Sequence, residues 1–236
     1  MDITFHGHNF FTIKTRGKTI VVDPYTENGM TAVRPADIHA DLVLITHGHG
    51  DHTGCVQELD APVLAIYEIA QWLERSGRKG VTSMNIGGYH RLADITIWMA
   101  PALHSSGLPS DGATLGNGGN PAGFIIDDGE TRFHIVGDSG LFSDMRHVIG
   151  EIMRPDIAAV PIGDRFTMGP EHAAIATRWL GVKAVIPCHY DTFPPIEQDP
   201  ETFVKAVGTA AEVIVMRPDT TITVTGGRVG RPPMPA

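Results

Sequence analysis

The chain has 236 residues, of which 42% are apolar, and it carries a formal charge of −9. This length and composition suit one soluble domain with its own core, and the charge argues against a surface that holds nucleic-acid phosphates without regard to sequence. No apolar run approaches the roughly 18 residues of a membrane helix, and two cysteines are too few for a disulfide framework. Since the first residues, MDITFHGHNF, also lack the basic and apolar regions of a signal peptide, we expect a cytoplasmic protein with no membrane partner.

The first part of the chain predicts a hairpin followed by alternating strands and helices. Gly17 and Lys18 separate the two β-rich runs of the hairpin. The run DLVLI is apolar after its aspartate, which is typical of a strand buried on both faces. The spacing of Ile69, Trp72 and Leu73 indicates a helix. The predicted elements are strands 10–16, 19–23, 41–45 and 62–66, a short helix from 51 or 52, helix 67–77 and strand 95–101.

The second part begins with a segment rich in Gly, Ser, Asn and Pro, 105–121, which predicts a long loop. A second hairpin turns at Asp128-Gly129, and Pro170 and Gly181 suit the first position and the end of a helix. The remaining predicted elements are strands 123–127, 131–138, 156–161, 183–187, 212–216 and 221–225, and helices 143–151, 170–180 and one that starts at Asp199-Pro200.

The order of these elements repeats in outline. In each half a strand–turn–strand unit ends at an aspartate, Asp23 or Asp138, and a buried strand, a helix and a strand follow. We interpret this as one α/β domain, 1–228, made of two similar halves at about 1–103 and 104–228. The sheets of the two halves would pack face to face with the helices outside. Residues 229–236 are predicted to form a loose tail.

The segment THGHGDHTG, 46–54, is the strongest chemical signal in the sequence. His47 and His49 are two apart, so on an extended backbone their side chains point the same way and can reach one ion. Asp51 and His52 follow after the turn that the glycines allow, and can face a second point nearby. Imidazole with some carboxylate is the ligand set that zinc prefers. The pattern therefore predicts a metal site.

Further ligands are expected at the ends of other strands, because one short cluster cannot fill two ions. Three candidates, His104, Asp138 and His189, each stand just past an apolar run. A lone histidine after a strand is more often an ordinary loop residue, but with the cluster these three make seven ligands. Seven suit two divalent ions that share a bridging carboxylate and a water, with zinc favoured by the histidines and manganese as the alternative because Asp51 and Asp138 supply hard oxygen.

At these residues the sequence resembles the metallo-β-lactamase superfamily. The resemblance implies that one metal is bound by His47, His49 and His104, that the other is bound by Asp51, His52 and His189, and that Asp138 bridges them. The segments GHNFFTI, THGHGDHTG, MNIGG, PALHSS, GNPAGF, GDSGLFSDM, PIGDRFTMGPE and IPCHYDTFP are similar to those of a group of bacterial and archaeal metal-dependent hydrolases near the ascorbate-6-phosphate lactonase branch. This implies a four-layer αββα sandwich with a dinuclear site at one edge of its two mixed sheets.

Such a site predicts hydrolysis of an ester-like bond, a lactone or phosphoester, in a small anionic substrate by a bridging hydroxide. Asp51 could also accept a proton from the attacking water. Asp23 is a candidate to orient a ligand imidazole, with capping of the Pro24 turn as the alternative. His8 is a candidate catalytic residue in a loop, and the candidate substrate contacts are Arg165, His172 and Asn120. Arg165 stands where this group is expected to carry a smaller or amide side chain.

The other histidines have simpler interpretations. His134 is predicted to pack between layers, and the predicted surface histidines are His6, His39, His90 and His147.

Two other functions remain open on the sequence alone. The first is a phosphodiesterase or nuclease that acts on nucleotides or nucleic acid, although the charge disfavours it. The second is a metal-binding protein without catalytic activity, which would have a closed coordination shell and no substrate cleft. The oligomeric state, including a homo-oligomer, is not fixed by the sequence.

Overall fold

A computed structural model describes residues 1–109 and 116–230. The strands of the first half are β1 Asp2–Phe5, β2 Phe11–Thr15, β3 Lys18–Val22, β4 Leu42–Ile45, β5 Val63–Ile66, β6 Val81–Met84, β7 Tyr89–Leu92 and β8 Ile95–Pro101. Those of the second half are β9 Gly107–Leu108, β10 Gly116–Asn117, β11 Ala122–Asp127, β12 Arg132–Ile135, β13 Ile157–Pro161, β14 Ala184–Cys188, β15 Glu212–Val213, β16 Thr220–Thr225 and β17 Arg228–Gly230.

These strands form two large mixed sheets. The first has the order β17-β16-β1-β2-β3-β4-β5-β6 and the second the order β15-β14-β13-β12-β11-β8-β7. In each sheet an antiparallel portion meets a parallel one, at β3–β4 in the first and at β12–β13 in the second. The apolar runs of β4, β5, β13 and β14 are buried along their whole length, as expected for parallel strands covered on both faces.

Helices cover the outer faces of the sheets. These are α2 Tyr67–Arg75, a π-helical segment Met145–Met153, α3 Pro170–Leu180 and α4 Pro200–Val207. The short helix α1 Gly50–Thr53 follows β4, and 3-10 turns are formed by Pro35–Asp37, Val56–Glu58 and Pro194–Ile196. α2 packs on β5 and β6, and α3 packs on β13, α4 and the π-helical segment. Between the sheets, Phe11 of β2 meets Phe133 of β12 with ring centroids 5.9 Å apart. The arrangement confirms the predicted α/β sandwich with sheets inside and helices outside.

The division of the chain at 103/104 stays a prediction. The two sheets do not divide the chain at that point, because β7 and β8 belong to the second sheet and β16 and β17 return to the first. The tail predicted from residue 229 begins with two residues of β17, which pair with β16, and 231–236 lie outside the described residues. The predicted loop 105–121 contains β9 and β10, which pair with each other. Residues 110–115, between these strands, are also outside the described residues.

Local predictions failed where periodicity gave no signal. β6 and β7 are edge strands with largely exposed side chains, and β1 has only two apolar residues, Ile3 and Phe5, to mark it. The helix predicted at 143–151 is π-helical: the N–H of Arg154 donates to the carbonyl of Ile149, five residues back, at 2.8 Å. His6, predicted at the surface, is buried and hydrogen-bonded to Asp219 at 2.7 Å. In the described part of the chain no helix has the length and apolar character to cross a membrane.

His134 of β12 makes the stability of the fold depend on pH. It lies on the same face as Ile125 and Ala158, fully enclosed, and burial lowers its pKa from 6.5 to about 4. Because the folded-state pKa lies below the unfolded one, the unfolded chain binds the proton more readily. The free energy of unfolding is therefore not reduced by His134 above about pH 6.5, and it declines as the pH falls toward about 4.

We expect protonation of His134 to lower the free energy of unfolding of the metal-free protein by about 2 kcal/mol when the pH falls from about 7.5 to about 5. His134→Leu should remove that part of the pH dependence, as measured by urea unfolding at the two pH values. His39→Leu replaces an exposed histidine and is the matched control, which should keep the wild-type difference. An unchanged pH dependence in His134→Leu would contradict the assignment.

Candidate metal centre

Four strands from the two sheets deliver side chains to one edge of the sandwich. His47 follows β4, whereas His104, Asp138 and His189 follow β8, β12 and β14. β12, β13 and β14 are parallel, and β8 runs the same way because it and β12 are both antiparallel to β11. Their carboxyl ends therefore lie at the same edge, which is why residues far apart in the sequence can meet.

The segment from His47 to His52 folds from a strand end into the short helix α1. Gly48 is packed so closely that a Cβ there would lie 3.1 Å from both the carbonyl of Gly107 and the side chain of Leu108. Its N–H donates to the Ser106 hydroxyl at 3.1 Å. The His52 N–H then donates to the carbonyl of His49 at 3.0 Å, which closes the first turn. The tight turn places neighbouring histidines around one point.

Asp138 lies at the centre of the cluster and is only 3% exposed. Its Oδ2 is 3.0 Å from Nε2 of His189, 3.5 Å from Nε2 of His104 and 3.9 Å from Nε2 of His47. Its Oδ1 is 3.3 Å from Nε2 of His52. One buried carboxylate thus faces four imidazoles, two on each predicted side of the site.

The donor atoms divide into overlapping groups whose members all lie within 4.8 Å of one another. These groups are His47, His49 and His104; His8, Asp51, His52 and His189; and His47, His52 and Asp138. Within the first, Nε2 of His47 is 2.9 Å from Nδ1 of His49. The structure therefore brings all seven predicted ligands together and adds His8. The third group joins the other two, as a bridging position requires.

The protonation preferences follow from burial and from the carboxylates. Burial holds the pKa of His47 well below its usual value, with the nearby His52 adding to the effect. Burial alone would lower the pKa of His52, but the carboxylates of Asp138 and Asp23 outweigh it and hold that pKa well above the usual value. Burial alone would raise the pKa of Asp138, yet His189 and His52 keep it well below its usual range. Asp138 is therefore a carboxylate at neutral pH.

The cluster suits a divalent metal because several of its buried nitrogen and oxygen atoms lack hydrogen-bond partners. Among the described residues, Nε2 of His52, Nε2 of His189 and Oδ1 of Asp138 are buried without a hydrogen-bond partner. Buried polar atoms of this kind are costly unless a cation or water satisfies them. Imidazole nitrogens and carboxylate oxygens that converge within a few ångströms are the donors that zinc and manganese accept.

Asp23, at the end of β3, holds one of these imidazoles in place. Its Oδ2 lies 2.7 Å from Nδ1 of His52, which turns Nε2 of that ring toward Asp138. The carboxylate is fully buried and also accepts from the backbone and hydroxyl of Thr46 and from the amide of Asn9. This is the contact that orients a metal-binding histidine in many sites.

The three predicted substrate contacts lie outside the cluster. His172 is exposed and lines a separate cavity of about 280 Å³ with Asp164 and Gln198. Arg165 and Asn120 are exposed on loops. The loop of Arg165 borders the centre, because the N–H of Met168 donates to the carbonyl of Ser139 at 3.0 Å, next to Asp138. The segment of Asn120 also borders the centre, because the N–H of Ala122 donates to the carbonyl of Thr46 at 3.0 Å, next to His47.

Sequence reasoning missed several residues that support the ligands. Thr46 and Asn9 bind Asp23, Thr192 contacts Nδ1 of His8 at 2.8 Å, and the hydroxyl of Ser105 is 3.3 Å from Nε2 of His49. Each is a small polar residue within two positions of a predicted ligand or of His8, apart from Thr192, which follows His189 by three. Proximity to ligands along the chain was the available signal, but small polar residues are too common for it to select them.

Comparison with known proteins gives similarities along most of the chain. Residues 2–189 match the family model described as the Beta-lactamase superfamily domain. A UPF0173 metal-dependent hydrolase of Geobacillus thermodenitrificans is 47% identical, over 86% of this chain and 92% of the relative, and one of Methanopyrus kandleri is 42% identical, over 92% and 97%. The solved structure of Igni18, described as a novel metallo hydrolase from Ignicoccus hospitalis, gives a TM-score of 0.83 at 37% identity, with 93% of this chain and 96% of that chain covered.

The hydrogen bond between Asp23 and His52 generates a test of the centre. We expect Asp23→Asn to weaken binding of zinc by roughly 10- to 100-fold, because the amide cannot replace the charge that fixes His52. Competition with a chromophoric chelator measures the affinity. Asp156→Asn, which removes a carboxylate that pairs with Lys183 at the start of β14, is the matched control. Equal affinities in the two variants would show that Asp23 only caps its turn.

Proposed function

This chain belongs to the β-lactamase superfamily and is a metal-dependent hydrolase, and from that premise we propose that it cleaves an ester-like bond in a small anionic substrate at a site for two divalent ions. Membership confirms the family predicted from the sequence. The likeness to the ascorbate-6-phosphate lactonase branch stays a prediction. We further propose zinc as the favoured metal, with manganese as the alternative, and a cytoplasmic location.

The position of Asp138 carries the proposal of two ions. It lies between the two predicted groups of ligands: Oδ2 is 3.5 Å from Nε2 of His104 in one group, and the carboxylate is 3.0 Å from Nε2 of His189 and 3.3 Å from Nε2 of His52 in the other. A carboxylate that faces both groups would serve as a ligand shared by two cations. A site for one ion would leave several of the seven donor groups buried without use, which is unfavourable.

Two divalent ions, when bound, would lower the pKa of a shared water and polarise the oxygen of the scissile bond. The protein residues hold this chemistry in place. Asp138 and His52 are enclosed and fixed by neighbours, so little reorganisation is needed during reaction. Asp51 is the more exposed carboxylate, with its side chain 27% exposed, so it can accept a proton from an attacking water and pass it to the leaving group.

The substrate would enter where the ligands are least covered. His49, Asp51 and His104 retain partial exposure, whereas the other four predicted ligands are buried. Beside His104 the side chain of Leu103 is 57% exposed, and Phe166 in the neighbouring loop is 48% exposed. The Arg165 guanidinium lies 5.6 Å from the Phe166 ring centroid. We propose that this rim contacts the part of the substrate that does not react, with Arg165 paired to its negative group.

Metal removal and replacement test the proposed activity. We expect the chelated protein to be inactive and to recover hydrolysis when zinc or manganese is added up to two ions per chain. The substrates are a panel of lactones, cyclic nucleotides and bis(p-nitrophenyl) phosphate. Asp138→Asn should reduce the metal content and abolish turnover, whereas Asp94→Asn, an exposed control, should leave both unchanged. Full metal loading without turnover of any ester would favour a metal-binding protein without catalytic activity.

Arg165 provides a separate test of the anionic substrate. Arg165→Gln should lower kcat/KM for a carboxylate-bearing ester by about 10-fold, as expected for the loss of one charged hydrogen bond. The same variant should leave kcat/KM for the matched neutral ester unchanged. Arg146→Gln on the outer π-helical segment is the control. Equal losses on both esters would mean that Arg165 supports the loop instead of pairing with the substrate.

A further inference from the structure

His8 is a fully buried histidine held in an unfavourable backbone conformation. Its φ is 56°, in the left-handed region that side chains other than glycine seldom adopt, and Gly7 before it has a φ of 97°. A non-glycine residue in this region costs roughly 1–2 kcal/mol. Such a residue persists where its surroundings fix it, and strained residues of this kind cluster at functional sites.

The side chain of His8 connects a predicted ligand to a residue outside the cluster. Nε2 is 3.1 Å from Oδ2 of Asp51, and Nδ1 is 2.8 Å from the Thr192 hydroxyl. An ionised carboxylate only accepts hydrogen bonds, so Nε2 carries the hydrogen and donates it to Asp51. Nδ1 of the neutral ring is then an acceptor, and the Thr192 hydroxyl donates to it. Thr192 thereby selects the tautomer that can hold Asp51.

The backbone and ring of His8 hold a second predicted ligand. The N–H of His189 donates to the carbonyl of His8 at 2.8 Å. The two imidazole rings are in contact, with centroids 3.9 Å apart and their planes tilted by 40°. His189 has a φ of 54°, so its backbone is also in the left-handed region and depends on this support. His8 therefore touches two ligands that come from different sheets, Asp51 after β4 and His189 after β14.

We propose that His8 is a positioning residue that fixes Asp51 and His189 for the second of the two ions, with Thr192 holding its ring in the required tautomer. The inference rests on the proposed dinuclear function. The competing role is direct ligation, because His8 belongs to the same group of converging donors as Asp51, His52 and His189. The two roles differ in what a glutamine at this position would do. The amide of glutamine can reach the place of Nε2 and donate to Asp51, but it is a poor metal ligand.

Stepwise zinc titration of the full chain, followed by calorimetry and chelator competition, tests this positioning role. We expect His8→Leu to weaken the second zinc by roughly 10- to 100-fold and to leave the first unchanged. His8→Gln should stay within a few-fold of the wild type. Thr192→Val should show a smaller loss than His8→Leu. His6→Gln, a buried histidine bound to Asp219 in the same part of the chain, is the matched control and should bind both ions as the wild type does.

Thermal melting of each metal-free variant checks that the chain is folded before its zinc affinity is compared. Equal loss in His8→Gln and His8→Leu would overturn the positioning role in favour of direct ligation. Wild-type affinity in His8→Leu would reduce His8 to a packing residue. If the wild type binds fewer than two ions, the proposed function itself fails. If the wild type binds two ions and His8→Leu binds both with wild-type affinity, only the inference about His8 fails.

Discussion

A carboxylate buried among imidazoles, that of Asp138, is the constraint on which the rest of this structure depends. A buried charge is tolerated only where opposite charge or hydrogen bonds match it. Without metal, the match comes from the imidazoles, chiefly His189 and His52, and the pKa of His52 is raised because Asp138 and Asp23 flank it. An imidazole nitrogen cannot hold a proton and a metal at once, so a divalent ion at this place would take over the role of that proton. The same balance of charge therefore explains why these donors suit a cation.

The sandwich provides the geometry that this balance requires. The apolar contact between the sheets, such as Phe11 against Phe133, sets their separation, and the parallel strands bring their carboxyl ends to one edge. The predicted ligands His47, Asp138 and His189 stand within three residues of a strand end, whereas Phe166, which we propose to contact the substrate, stands in the middle of the segment between β13 and α3. This division separates the metal chemistry, which the fold fixes, from the choice of substrate, which the loops can vary.

The sequence was most informative where a periodic pattern or a dense motif stood alone. The buried runs of β4 and β13 lead directly to strands, because a continuous apolar run marks a strand covered on both faces. The spacing His-x-His-x-Asp-His leads to convergent donors because the chain turns tightly between β4 and α1. The edge strands β6 and β7 were missed, since exposed strands lose the apolar signal. Asn9 and Thr46 were missed for another reason: their importance lies in tertiary contact with Asp23, and nothing in their local sequence encodes it. His172 was selected for its place near the loop of Arg165, and in the structure it lines a cavity with Asp164 and Gln198.

The backbone at the centre indicates that the protein sets the site before a metal arrives. His8, Asp23 and His189 all have positive φ, although none is glycine, and each such residue costs roughly 1–2 kcal/mol. Each is held by protein groups: His8 by Asp51 and Thr192, Asp23 by Thr46 and Asn9, and His189 by the carbonyl of His8. If the metal alone held these residues, the strain would be released whenever the ion left, and these hydrogen bonds would not be needed. These hydrogen bonds therefore offset the backbone strain and hold the donors in a preorganised arrangement. The loss of a supporting residue should lower the affinity for the ion as well as the stability of the fold.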